Sequence, residues 1–122
     1  MMRMGVARMQ EANAQKLLNQ FETIAFKDGE SVDDFAVRIT DLAANLRALG
    51  ETINESRVVK KFLRVVPKRY SQIVVSIEMF LDINVLSVEE LVRRLRAVED
   101  HFNDDVEQVV DKVGRLILAE ED

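Results

Sequence analysis

Cysteine is absent from the 122 residues, which removes disulfide frameworks, thiolate metal sites and cysteine nucleophiles from consideration. Tryptophan is absent as well, histidine occurs once, at His101, and proline once, at Pro67. With no Cys and no second His, His101 cannot complete a zinc site or a catalytic triad, and it reads as an ordinary residue near a helix end. Gly29 lacks the further glycines and lysine of a phosphate-cradling loop. No stretch reaches the roughly 18 apolar residues of a membrane span, and Met1-Met2-Arg3-Met4-Gly5 lacks the apolar core of a signal peptide. These absences exclude most cofactor and metal chemistry and lead us to expect an intracellular, cytoplasmic chain that does not engage membranes.

What is present is a large apolar fraction, 48% of side chains, on a chain long enough for one compact core and too short for two ordinary domains. The formal charge of −5 argues against a general nucleic-acid binder, yet its distribution is uneven. Arg57, Lys60, Lys61, Arg64, Lys68 and Arg69 form a basic run without an acid, whereas 99–122 is strongly acidic.

Hydrophobic residues recur at spacings of three and four, which marks helices. Val32, Phe35, Ile39, Leu42, Leu46 and Leu49 form one such stripe, with Ser31 as N-cap, Asp33 and Asp34 at the positive end of the dipole, and Gly50 as the left-handed terminator. That helix should run about 32–49. Leu17, Leu18, Phe21 and Ile24 suggest a preceding helix of about 8–26, closed by Asp28-Gly29. A third, about 55–65, enters from Asn54 and stops before Pro67. A fourth, about 68–80, carries Tyr70, Ile73, Val74, Ile77 and Phe80. Ser87-Val88-Glu89-Glu90 is a capping box opening a helix with Val88, Leu91, Leu95, Val98 and Phe102. A last amphipathic segment, about 104–118, carries Val106, Val109, Val110, Val113, Leu116 and Ile117. The fold class is therefore all-α, a compact bundle of five to six helices.

Catalytic chemistry is hard to assemble from these residues. The acid pairs Asp33-Asp34, Glu89-Glu90 and Asp104-Asp105 each lie at an expected helix N-terminus, where the dipole already accounts for them. The third helix is more informative. At 100° per residue, Val58, Val59, Phe62, Leu63, Val65 and Val66 fill an arc of about 160°, and Arg57, Lys60, Lys61 and Arg64 fill the opposite side. An arc that wide fits either a helix wedged between two neighbours of its own domain or a helix that also meets another chain, with Phe62 as anchor. The basic face is either solvated, which is the commoner case, or a contact for RNA or an anionic membrane surface, and for RNA Lys68, Arg69, Arg93, Arg94 and Arg96 are further candidates.

The block Phe21-Glu22-Thr23-Ile24-Ala25-Phe26-Lys27-Asp28-Gly29-Glu30-Ser31-Val32-Asp33-Asp34-Phe35 resembles the central part of copia-type retrotransposon gag polyproteins, familiar from plant genomes. Gly50-Glu51, the segment Val58-Val59-Lys60-Lys61-Phe62-Leu63 leading to Pro67-Lys68-Arg69-Tyr70, and Leu86-Ser87-Val88-Glu89-Glu90-Leu91 extend the resemblance in order over about residues 9–102. It implies a capsid-forming protein, with Gly29, Phe35 and Arg38 where the capsid C-terminal domain of retroviruses carries its major homology region, a stabilising motif. On that reading 1–103 is the gag-like domain, with helix 8–26 a remnant of the N-terminal lobe and 32–102 a capsid C-terminal-like core. Residues 104–122 form an acidic C-terminal helix and tail. The third helix would correspond to the one that commonly makes the capsid dimer contact. The family's Trp-containing segment and its zinc knuckle of three Cys and one His have no counterpart here.

The resemblance thus leads us to expect a non-enzymatic protein without catalytic, cofactor or metal residues, self-associating as a homodimer in the first instance. It would be a fragment, a shortened copy or a domesticated transposable element. Alternative partners are related gag proteins, a host protein bound by a helical adaptor, and RNA.

Overall fold

A computed structural model gives the fold and describes residues 2–101, with side chains from residue 5. Five α-helices follow one another: α1 (Met2–Thr23), α2 (Val32–Ala48), α3 (Glu55–Val65), α4 (Ser71–Phe80) and α5 (88–101), with a single 3-10 turn at Lys68–Tyr70 before α4. No strand occurs among the described residues. The expected segment 104–118 and the boundary at 103 lie outside them.

Local chemistry sets most boundaries. Ser31 is extended, and its hydroxyl accepts the Asp34 amide at 3.1 Å, opening α2 over Asp33 and Asp34. α2 closes where Gly50 turns to φ +92 and the amides of Glu51 and Gly50 return to the carbonyls of Leu46 and Arg47. This paired closure satisfies carbonyls that the helix end would otherwise orphan, and it needs a residue that tolerates positive φ. The Asn54 side chain accepts the Arg57 amide at 2.9 Å to start α3. Val66, at φ −61 and ψ 142, ends it because the following Pro67 disfavours helical angles there.

Three expectations need correction. α1 begins near residue 2 rather than 8, and stops at Thr23 rather than 26. Residues 5–13 are exposed, so no apolar stripe marks them, and good helix formers such as Met, Arg, Ala, Gln and Glu extend the helix from its anchored half. At the other end the chain leaves the helix so that Ile24 and Phe26 can turn into the core. The fourth helix is also divided. Tyr70 donates its amide to the Pro67 carbonyl in a 3-10 turn, which buries its ring completely before α4 begins at Ser71. Phe80, placed on that helix's apolar stripe, is 79% exposed: it is the last residue of α4, past the point where Ile77 meets the core.

The capping box at α5 is half realised. The Ser87 hydroxyl accepts the Glu90 amide at 3.0 Å, but the Glu90 carboxylate turns to Arg94 (3.0 Å) and Arg93 (3.3 Å) instead of reaching back. The Val88 amide is taken by the Glu55 carboxylate from the start of α3, at 2.9 Å. One side chain thereby ties the N-termini of α3 and α5 together.

The core gathers the inner faces of α2, α3 and α5 with Phe21 and Ile24 beneath them and Tyr70 and Ile77 at one side. Its centre is an aromatic cluster: Phe26 stacks on Phe35 at 4.0 Å between ring centroids, and Phe62 meets Phe35 edge-on at 4.9 Å and Phe26 at 6.0 Å. Such geometries add about 0.5–1.5 kcal/mol per pair beyond the area buried. Phe62→Ala should therefore destabilise the fold by about 3–5 kcal/mol, measured as a shift of the urea unfolding midpoint followed by circular dichroism. Val37→Ala, at a position 60% exposed, should stay within about 0.5 kcal/mol of the parent.

Candidate functional site

Between α1 and α2 the chain makes a tight turn at Gly29, whose φ of +73 suits glycine. The turn presents Glu30 to α2, and Arg38, two turns into that helix, closes on it. Arg38 Nε donates to Glu30 Oε2 and Nη2 to Oε1, both at 2.7 Å, and Nη2 also reaches the Ala25 carbonyl at 2.7 Å. Glu30 Oε1 accepts the Lys27 amide as well, at 3.0 Å. Beneath this clasp the guanidinium lies 5.3 Å from the centroid of the Phe35 ring. Gly29, Phe35 and Arg38, singled out in the sequence, are thus brought together in one cluster. Glu30, which completes it, was not singled out; the sequence signal was an acid lying between a turn glycine and a helix that carries an arginine on its near face.

The Glu30 side chain is only 7% exposed, and Arg38 covers it. The hydrogen bonds from Arg38 hold its carboxyl below the usual carboxylate range, against the opposing effect of burial and with help from the Lys27 amide.

The α3 arc is occupied largely by the chain's own core. Val58, Val59, Phe62 and Leu63 are buried, Phe62 completely, while Val65 and Val66 are half-buried. A second chain approaching the folded molecule along this arc would meet Val65 and Val66 rather than Phe62. Of the basic residues, Arg57 pairs with Glu22 at 3.0 Å and lies over the Phe21 ring, and Lys61 donates to the Glu22 carbonyl. α1 has no basic residue in its last turn, so these two cations from α3 stabilise its C-terminus. Lys60 and Arg64 are exposed, and with Arg57, Lys61, Phe21 and Glu22 they border a shallow depression of about 220 Å³. Lys68 and Arg69 sit apart on the 3-10 turn, where Arg69 stacks on Tyr70 at 5.0 Å.

The α5 arginines are engaged in ion pairs: Arg93 and Arg94 with Glu90, and Arg96 with Asp33 at the start of α2. Asp33-Asp34 and Glu89-Glu90 occupy first turns of helices, Asp104-Asp105 lies outside the described residues, and His101, the last described residue of α5, is exposed. Among the described residues no three His, Asp or Glu side chains converge as a metal cage, and no helix is long and apolar enough to cross a membrane.

The clasp gives stability a pH dependence. Glu30 is more acidic in the folded than in the unfolded chain, so its contribution is complete above the unfolded value of about 4.3 and is lost as pH falls through the lower folded value. Glu30→Gln should cost about 2 kcal/mol at pH 7, and the gap to the parent should narrow below pH ~4, read from urea melts at both pH values. A gap of the same size at pH 3 would contradict the ionic origin.

Comparison with curated proteins and with solved structures finds no match. Comparison with family models does: residues 7–108 match the gag-polypeptide of LTR copia-type. Among the described residues the matched span takes in nearly all of α1, the clasp, the aromatic cluster and α5 as far as residue 101. The chain belongs to the copia-type LTR gag-polypeptide family.

Proposed function

We propose that the protein is a non-enzymatic assembly domain that binds copies of its own chain through helical surfaces, in the capsid-forming manner of gag. The observation that carries this reading is the family match over residues 7–108. The cytoplasm is the compartment we assign, and related gag proteins are partners of the same kind. A domesticated copy would have exchanged its own chain for a host protein, using the same faces.

The test is the molar mass of the full chain as a function of concentration, by light scattering after size exclusion. A dimer or larger species that grows with concentration is expected. A monomer up to about 1 mM, where even weak association of ~4 kcal/mol would register, overturns self-association and transfers the role to a host-protein adaptor.

RNA is the second reading, favoured by the exposure of Lys60 and Arg64 beside the depression that Arg57 and Lys61 also border. Arg57 and Lys61 are engaged with α1, so few phosphates would be neutralised. Affinity for a single-stranded oligonucleotide should then fall with salt at a modest slope of roughly −0.7 per contact, and Lys60→Glu with Arg64→Glu should abolish it. Binding that survives this charge reversal would exclude the α3 face.

A further inference from the structure

Where the 3-10 turn and α4 lie alongside α5 they leave an open groove of about 690 Å³. Its floor is apolar, made by the half-buried Ile73 and Val98 with Ala97 beside them. Arg69 borders it from the 3-10 turn, Arg94 borders it from α5, and no acid lines it. The acids of the flanking helices turn elsewhere. At 100° per residue Glu78 lies about 165° from the mean direction of Gln72, Ile73 and Ser76, and Glu99 and Asp100 lie about 150° and 110° from that of Arg94, Ala97, Val98 and His101. Glu90, one turn before Arg94, is shared between Arg94 at 3.0 Å and Arg93 at 3.3 Å, so the groove keeps a positive excess.

We infer that this groove holds the chain's own acidic C-terminal segment, about residues 104–118. The docking is intramolecular and independent of the self-association proposed above. Residues 102–122 contain seven acids against Lys112 and Arg115, a net −5 that is the formal charge of the whole chain, while residues 1–101 carry fifteen of each sign. The apolar stripe of that segment suits the floor of the groove, and Glu107 and Asp111 lie within about 40° of each other on one flank of the stripe, placed to meet a guanidinium on the rim. Other depressions fit it less well. The one between α2 and α5 carries Asp41 and Glu89, and the one on α3 carries Glu22 and has no exposed apolar floor, since Phe21 is buried.

The segment starts at the groove, because His101 itself borders it and residue 102 follows directly. From His101 back to Arg94 the groove runs about 10 Å along α5, so a reversal at residues 102–105 lays the segment antiparallel over it, and Asn103-Asp104 has the side chains for such a turn. A tether of a few residues gives an effective concentration in the ~mM range, at which contacts too weak to hold a free peptide hold an attached one. Exposed ion pairs contribute little each, so charge selects the groove and the apolar stripe supplies the burial. Docked there, the segment also withholds Arg69 and Arg94 from phosphates.

The test uses the full chain at low concentration, and the absence of native cysteine allows paired substitutions. Under a mild added oxidant, Ser76→Cys with Val110→Cys should close a disulfide within one chain at least tenfold faster than Glu78→Cys with Val110→Cys, whose first cysteine lies on the opposite side of α4 at nearly the same tether length. Adding Arg69→Glu and Arg94→Glu to the first pair should slow closure severalfold with the helical circular dichroism unchanged, and high salt should do the same without touching the arginines, which covers a charge-reversed chain that fails to fold. Equal rates for the two pairs overturn the docking. A disulfide that links two chains instead of closing one overturns it too, and assigns the segment to a neighbouring copy. A preference for position 76 that neither charge reversal nor salt reduces overturns the part given to Arg69 and Arg94.

Discussion

The clasp between Glu30 and Arg38 is the constraint around which the fold is organised. It converts a loop into a fixed corner: Arg38 holds the Glu30 carboxylate and the Ala25 carbonyl at once, so that the chain leaving α1 is fastened to α2 on both sides of the Gly29 turn. That fastening places Phe26 against Phe35, and Phe35 in turn receives the edge of Phe62 from α3. Three segments distant in sequence meet at one aromatic cluster because a charged pair above it fixes the entry angle. A carboxylate this well covered would be costly alone, and the two oxygens are satisfied by Arg38 and the Lys27 amide together.

The same economy of contacts explains α3. A helix with an apolar arc of some 160° suggests an unmet partner, and the partner turns out to be largely internal, since Val58, Val59, Phe62 and Leu63 pack into one core with buried residues of α1, α2 and α5. Its basic face is likewise partly structural, with Arg57 and Lys61 stabilising the end of α1 by reaching Glu22. Wide apolar arcs and charged faces on a central helix therefore report first on how many neighbours it has. Only the residues left over, Val65, Val66, Lys60 and Arg64, remain available to anything outside.

Most of the architecture was legible in the sequence because its signals are local. Ser31, Asn54, Ser87, Gly50 and Pro67 set helix ends through their own hydrogen bonds or backbone preferences, and they did so at the expected places. What escaped the sequence depends on contacts between distant residues. Glu55 capping α5 across 33 positions, Glu30 meeting Arg38, and Phe26 leaving the helical pattern to stack on Phe35 carry no periodic trace. The early start of α1 was missed for the opposite reason: residues 5–13 touch nothing that would impose an apolar stripe. The interface candidates on α3 were chosen by pattern, and pattern does not distinguish a side chain facing the core from one facing a partner.

Burial separates the apolar residues that the core uses from those it leaves exposed. Val58, Val59, Phe62 and Leu63 are consumed by it, as are Phe35, Ile39 and Leu46, whereas Val75 and Met79 stand on the far side of a helix already anchored through Ile77. Burial alone separates the two groups: aromatic residues and the clasp hold the fold together, whereas Val75 and Met79 take no part in its core.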